Sequence, residues 1–207
     1  MPRSRANSSA RRRARSGDLH GNAPDESRLA LLVIDMINAF DFDGADAMLP
    51  RALAAAHAIS ALKKRAQQAG VPVVYVNDNF GRWRSDFRQI LERCLRSPGR
   101  EIAALLKPDE DDYFVLKPKH SGFQFTTLDV LLEHLGAETL VVTGVAGNFC
   151  VLFTAHDAYM RDYKLVVPRD CIASLTEQHD REALKHMAEV TKADVRASAE
   201  LDFAALQ

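Results

Sequence analysis

The sequence predicts an α/β protein, a three-layer sandwich with a mostly parallel six-stranded sheet and helices on both faces. Three observations carry this expectation. Short runs recur that are apolar at every position, as strands buried on both faces require. Stretches with apolar residues three and four apart lie between them. The two patterns alternate along the chain, as strand and crossover helix do in a parallel sheet. A length of 207 residues suits one such domain with a sizeable core.

The expected strands fall in order. Leu29-Ala30-Leu31-Leu32-Val33-Ile34 ends at Asp35, and Val71-Pro72-Val73-Val74-Tyr75-Val76 leads into Asn77-Asp78-Asn79. Tyr113-Phe114-Val115-Leu116 ends at Lys117, Thr139-Leu140-Val141-Val142-Thr143 at Gly144, and Lys164-Leu165-Val166-Val167 at Pro168. A weaker sixth run is Asp194-Val195-Arg196-Ala197. Between the first two, Leu49, Leu53, Ala56, Ile59, Leu62 and Ala66 keep helical spacing until Gly70, with Pro50 in the first turn, where its missing N–H does little harm. Residues 81–110 predict one or two short helices around a loop at Ser97-Pro98-Gly99. Leu128, Leu131, Leu132 and Leu135 form another stripe, with Thr126 and Thr127 as candidate caps and Gly136 as a stop. An apolar helix runs from about Cys150 to Arg161, and Ser174-Leu175-Thr176-Glu177 has the capping-box pattern for a helix reaching about residue 190.

The net charge of −1 conceals an asymmetry. Residues 1–28 hold seven arginines against Asp18, Asp25 and Glu26, so the rest of the chain is acidic. Residues 1–27 are expected to be a disordered Arg-rich tail, too poor in apolar surface to offset its ordering entropy, and residues 28–207 the folded domain. A nucleic-acid arm or a transit peptide is the alternative for the tail. The acidic domain itself does not suit a nucleic-acid partner. No apolar run approaches the ~20 residues a membrane helix needs. Cys94, Cys150 and Cys171 are irregularly spaced, which suits a reducing, cytoplasmic setting rather than a disulfide framework.

Ligands of an open parallel sheet gather at the carboxyl ends of its strands, which singles out Asp35, Asp78, Lys117 and the segment after Thr143. An ionisable residue at a strand end is as readily a turn or cap as a catalyst. Gly144-Val145-Ala146-Gly147-Asn148-Phe149-Cys150 says more. Its glycines allow a sharp turn, and Cys150 falls near a helix N-terminus, where N–H groups and the dipole favour a thiolate and can receive an oxyanion. A buried inert cysteine is the competing reading. Cys94 and Cys171 lack this setting.

Three blocks resemble the isochorismatase-like cysteine hydrolases. They are Leu31-Leu32-Val33-Ile34-Asp35-Met36-Ile37-Asn38-Ala39-Phe40, then Leu116-Lys117-Pro118-Lys119-His120-Ser121-Gly122-Phe123 with Thr126 and Leu128, and Val141 to Val151 around Cys150. They occur in family order, within a resemblance running from about residue 29 to 200. The resemblance implies a six-stranded parallel sheet, a triad of Asp35, Lys117 and Cys150, a cis peptide at Val145–Ala146, and oxyanion donors at the backbone amides of Ala146 and Cys150. It implies a small-molecule substrate and a homo-oligomer. Ile37 and Ala39 depart from polar positions of the family pattern, and Gly147 stands where threonine is common. No histidine lies between His57 and His120, and Asp78-Asn79-Phe80-Gly81-Arg82-Trp83 lacks the metal ligands that nicotinamidases carry there, so no metal or cofactor is expected.

The expected activity is hydrolysis of a C–N bond in an amide, ureide or N-carbamoyl compound, through a thioester on Cys150. Asp35 takes the thiol proton and Lys117 supports the thiolate. Asn38, Phe40, Asn79, Trp83 and Phe123 are the candidate substrate-binding residues. Phe40 and Phe123 equally fit the core, and Trp83 equally fits an oligomer contact. Arg82, Arg84 and Lys119 could receive a carboxylate or remain solvated. His120 and His156 read as structural. Two rival functions stand beside the enzyme: a non-catalytic binding protein on the same fold, and a thiol redox sensor using Cys150.

Overall fold

Leu29–Ile34, buried along its whole length, forms the central strand β1 in a computed structural model that describes residues 26–83 and 86–206. Most of the expected tail and Arg84 lie outside the described residues. The backbone N–H of Ser27 already donates to the Leu135 carbonyl at 2.9 Å.

The chain continues through α1 (Ala45–Gln68), β2 (Val73–Asp78), α2 (Phe87–Cys94), α3 (Arg100–Leu105) and β3 (Tyr113–Lys117). It then forms α4 (Leu128–Leu135), β4 (Thr139–Val145), a π-helical turn (Gly147–Val151) and α5 (Leu152–Tyr159). The last elements are β5 (Lys164–Val166), β6 (Ile172–Ala173), α6 (Glu177–Val190), a 3-10 turn (Ser198–Glu200) and α7 (Phe203–Leu206). The sheet runs β3-β2-β1-β4-β5 with every pair parallel, and β6 continues the β5 side of β4 from Gly144. β1 is thus flanked by β2 and β4, whose ends converge on its own.

Two cores fill the faces of this sheet. One packs Leu29, Leu31 and Val33 with Ala52, Ile59 and Leu62 of α1 and with residues of α2 and α3. The other packs Leu32, Ile34 and Val142 with Leu128 and Leu132 of α4, Ala155 of α5 and Met187 of α6. Alternate residues of β1 face opposite layers, which is why its sequence is apolar throughout. β3 is an edge strand, and its Phe114 is exposed.

Two local expectations need correction. The sixth strand is Ile172–Ala173, and the run at 194–197 contributes only a parallel bridge from Asp194 to Val166. α6 is capped by Thr176, whose Oγ1 accepts from the His179 N–H at 3.2 Å, and not by Ser174, whose hydroxyl is already engaged elsewhere. At α4, Thr127 occupies the N-cap without a side-chain bond, and Thr126 Oγ1 accepts from the Leu128 N–H at 3.2 Å.

Gly144 is the position where β1 and β4 nearly touch. Its φ is +119°, and a Cβ there would lie 2.0 Å from the Ile34 carbonyl oxygen. No other residue lets the end of β4 approach so closely the strand end that carries Asp35.

Candidate active site

Asp35, Asp78 and Lys117 end three adjacent strands, and Cys150 follows the fourth, so chain topology brings all four to one end of the sheet. Asp35 itself adopts φ 51°, a left-handed conformation that aspartate tolerates better than most residues. Its backbone is fixed by donation to the Val76 carbonyl at 3.0 Å, and the next turn is held by Asn77. The Asn77 side chain accepts from the Ile37 N–H at 3.2 Å and donates to the Ile37 carbonyl at 3.0 Å. Ile37 and Ala39 are buried in the core beside α1, which accounts for their apolar character.

The reactive groups are in contact. Lys117 Nζ lies 2.8 Å from Asp35 Oδ2, 3.3 Å from Asp78 Oδ2 and 3.6 Å from Cys150 Sγ. Asp35 Oδ1 accepts from the Asp78 N–H at 2.7 Å, and Lys117 Nζ bridges the same carboxylate to Cys150 Sγ. Lys117 has no solvent exposure and Asp35 and Cys150 have little.

The turn bearing Cys150 is a single π-helical turn closed by donation from the Val151 N–H to the Ala146 carbonyl at 3.2 Å. Such turns favour functional positions because they redirect one side chain without ending the helix. The Val145–Ala146 peptide before it is cis. Three contacts hold the turn. Ser174 Oγ accepts from the Asn148 N–H at 3.0 Å, Thr154 Oγ1 donates to the Cys150 carbonyl at 2.7 Å, and the Gly122 N–H donates to Thr154 Oγ1 at 2.9 Å. A Cβ at Gly147 would press on the side chains of Ile172, Asp180 and Ser174 at about 3 Å, the nearest at 2.9 Å, so these would have to shift.

Burial governs the protonation of the site. It raises the Asp35 carboxyl above the usual carboxylate range, against the pull of Lys117. Burial works to lower Lys117, but Asp35, then Cys150 and Asp78, reverse this and raise it. The Cys150 thiol is pushed up to about 12 by burial and by the Asp35 carboxylate, with Lys117 opposing. The helix N-terminus, read from sequence as favouring a thiolate, is therefore outweighed by loss of water around the sulfur. Cys150 therefore rests as a thiol, beside Lys117 held as an ammonium.

The candidate substrate residues divide. Asn38 turns its Oδ1 onto the Phe40 N–H at 2.8 Å, and Asn79 turns its Oδ1 onto the Gly81 N–H at 2.9 Å. Phe40 and Phe123 are both core residues, the latter under the Arg161 guanidinium at 4.6 Å. Trp83 is exposed and lines a cavity of about 700 Å³ with Ala39, Phe80, Arg82, Ile90 and Cys94. This cavity is built by the loops after β1 and β2 and by α2, and none of Asp35, Lys117 and Cys150 lines it. Lys119 is exposed. His120 stacks against Phe149 and Phe153 beside the nucleophile turn, with ring centroids 4.4 and 6.0 Å away. Among the described residues no group of three or more His, Cys, Asp or Glu side chains is placed to hold a metal ion.

Asp78 was recognisable as a strand end, but its contact with Lys117 depends on the register of β2 with β3, where Asp78 pairs with Lys117 itself. Ser174 gave no sequence signal for its role, because the capping-box pattern around it pointed to a different use.

Asp35, Lys117 and Cys150 thus meet at the carboxyl end of a parallel sheet, where ligands of such sheets bind. The Isochorismatase domain model matches residues 29–200, and the chain belongs to that family of hydrolases. It is 41% identical over 166 residues to the uncharacterized isochorismatase family protein YaaI of Bacillus subtilis, covering 80% of this chain and 92% of the relative. It is 32% identical over 173 residues to the isochorismatase of the same organism, covering 80% of this chain but only 54% of that enzyme. Among solved structures, the N-carbamoylsarcosine amidase of Thermoplasma acidophilum superposes with a TM-score of 0.68 at 28% identity, over 85% of this chain and 99% of the other. Among the described residues no helix is long and apolar enough to cross a membrane.

Proposed function

We propose that this chain hydrolyses the C–N bond of a small amide, ureide or N-carbamoyl compound, with Cys150 as nucleophile. The observation that carries the reading is the placement of Lys117 Nζ, 2.8 Å from Asp35 and 3.6 Å from Cys150.

The thiol is the resting form, so its proton leaves as the sulfur attacks. Asp35, joined to that thiol through Lys117 Nζ, takes the proton while the sulfur–carbon bond forms. The carbonyl π electrons move to oxygen, and the backbone N–H groups of Ala146 and Cys150 receive the oxyanion. Lys117 offsets the negative charge gathering around the site. Asp35 returns its proton to the nitrogen as the C–N bond breaks, which leaves a thioester. Water, deprotonated by Asp35, then releases the acid and restores the thiol. The resemblance to an N-carbamoyl amidase favours a C–N substrate, whereas a vinyl ether, as in isochorismate, needs no thiol.

The redox-sensor alternative fares worse, because Cys94 and Cys171 pack in the core of the opposite sheet face from Cys150. Three unpaired cysteines fit a cytoplasmic setting, and we place the protein there as a homo-oligomer. Turnover of a panel of amides, ureides and N-carbamoyl compounds, followed by ammonia release, tests the activity. At least one should be hydrolysed by the native chain and not by Cys150→Ala; full turnover by the variant overturns the reading.

A further inference from the structure

Away from this site, His156 of α5 and His186 of α6 meet across the groove between their helices. Their Nε2 atoms are 3.0 Å apart, and the ring centroids are 4.9 Å apart with planes inclined by 44°. A contact this short between two ring nitrogens holds only when one proton lies between them, and that proton can be replaced. Zinc–imidazole bonds of roughly 2.0–2.1 Å, at angles between square and tetrahedral, separate two ligand nitrogens by roughly 3 Å. The helices already hold the two nitrogens at that spacing, so a metal ion could take the place of the proton without moving either backbone.

We infer that His156 and His186 form an interhelical site for a late first-row divalent cation of the zinc, nickel or copper type. Imidazole nitrogens select these ions over magnesium and calcium, which prefer oxygen ligands. His186 is exposed and His156 half-buried, which leaves water to complete the coordination. The bound ion would tie α6 to α5, the helix that continues directly from the turn bearing Cys150.

The test uses the full chain without a histidine tag, stripped of metal, in calorimetric titration and thermal melting with zinc chloride and with nickel chloride. One ion per chain should bind and raise the Tm, and magnesium chloride should do neither. His156→Gln and His186→Gln should each weaken binding by more than about tenfold, since even the partners that merely orient metal ligands are worth that much. Cys150→Ser should bind as the native chain does. Absence of saturable binding, binding that survives either histidine variant, or binding lost in Cys150→Ser would each overturn the assignment.

Discussion

Asp78 Oδ2 lies 3.3 Å from Lys117 Nζ, so the ammonium that faces Cys150 is shared between two carboxylates. The Asp78 charge therefore offsets part of the positive charge that Lys117 presents to Cys150. Removal of the second charge in Asp78→Asn leaves Lys117 freer to support a thiolate. The iodoacetamide reaction of Cys150 at pH 8 is expected to accelerate, roughly three- to tenfold, as a nearby charge shifts a thiol by a fraction of a unit to one unit. A slower or unchanged rate would contradict this role for Asp78.

Lys117→Met leaves Asp35 buried with its main counter-charge gone. Breaking a buried pair from one side costs about 3–5 kcal/mol. Denaturant unfolding should show a loss of that size, and kcat should fall by at least about 100-fold with the loss of electrostatic support. A variant with native stability would show that the pair is not closed in solution.

Ser174 supplies the acceptor for the Asn148 N–H, two residues before the nucleophile, and is itself buried. Ser174→Ala strands that N–H, at a cost of about 1–3 kcal/mol. The turn then loses its fixed position, and kcat is expected to drop roughly ten- to a hundredfold with little change in KM, because attack geometry suffers more than binding. Steady-state kinetics beside a melting curve separates the two effects.

The raised thiol gives a pH signature with a definite sign. In the unfolded chain Cys150 loses its proton near pH 8.5, and in the folded chain only near about 12. The folded state therefore binds the proton over this window. The stability it contributes is fully present below about pH 8.5 and is lost as pH rises toward the folded value. Between pH 8.5 and 10.5 the native Tm should fall more steeply than that of Cys150→Ala. Cys94 and Cys171, also raised, are common to both proteins and cancel in the comparison. Parallel curves would mean that the sulfur is solvated.

The sheet was legible because β1, β2 and β4 are buried on both faces, and such strands read as unbroken apolar runs. Asp35 and Lys117 were legible for the same reason, each being the polar residue that stops a run. Asp78 was visible as a residue but not as a partner of Lys117, since pairing across strands is set by register and not by local sequence. The sixth strand was misplaced because Ile172–Ala173 is only two residues long, too short for any periodicity. Ser174 was misread for another reason: a hydroxyl that can cap a helix can equally hold a distant N–H, and only the fold selects between them. The protonation of Cys150 was misjudged because the helix terminus is local, whereas burial depends on every layer packed over the sulfur.

Trapping the acyl-enzyme tests the central claim most directly. Acid quenching during turnover of any hydrolysed amide, followed by intact-mass and peptide-mass measurement, should show the acyl group added to the peptide containing Cys150. Asp35→Asn should not accumulate it. Turnover without an adduct on that peptide, continuing undiminished in Cys150→Ala, would contradict the account.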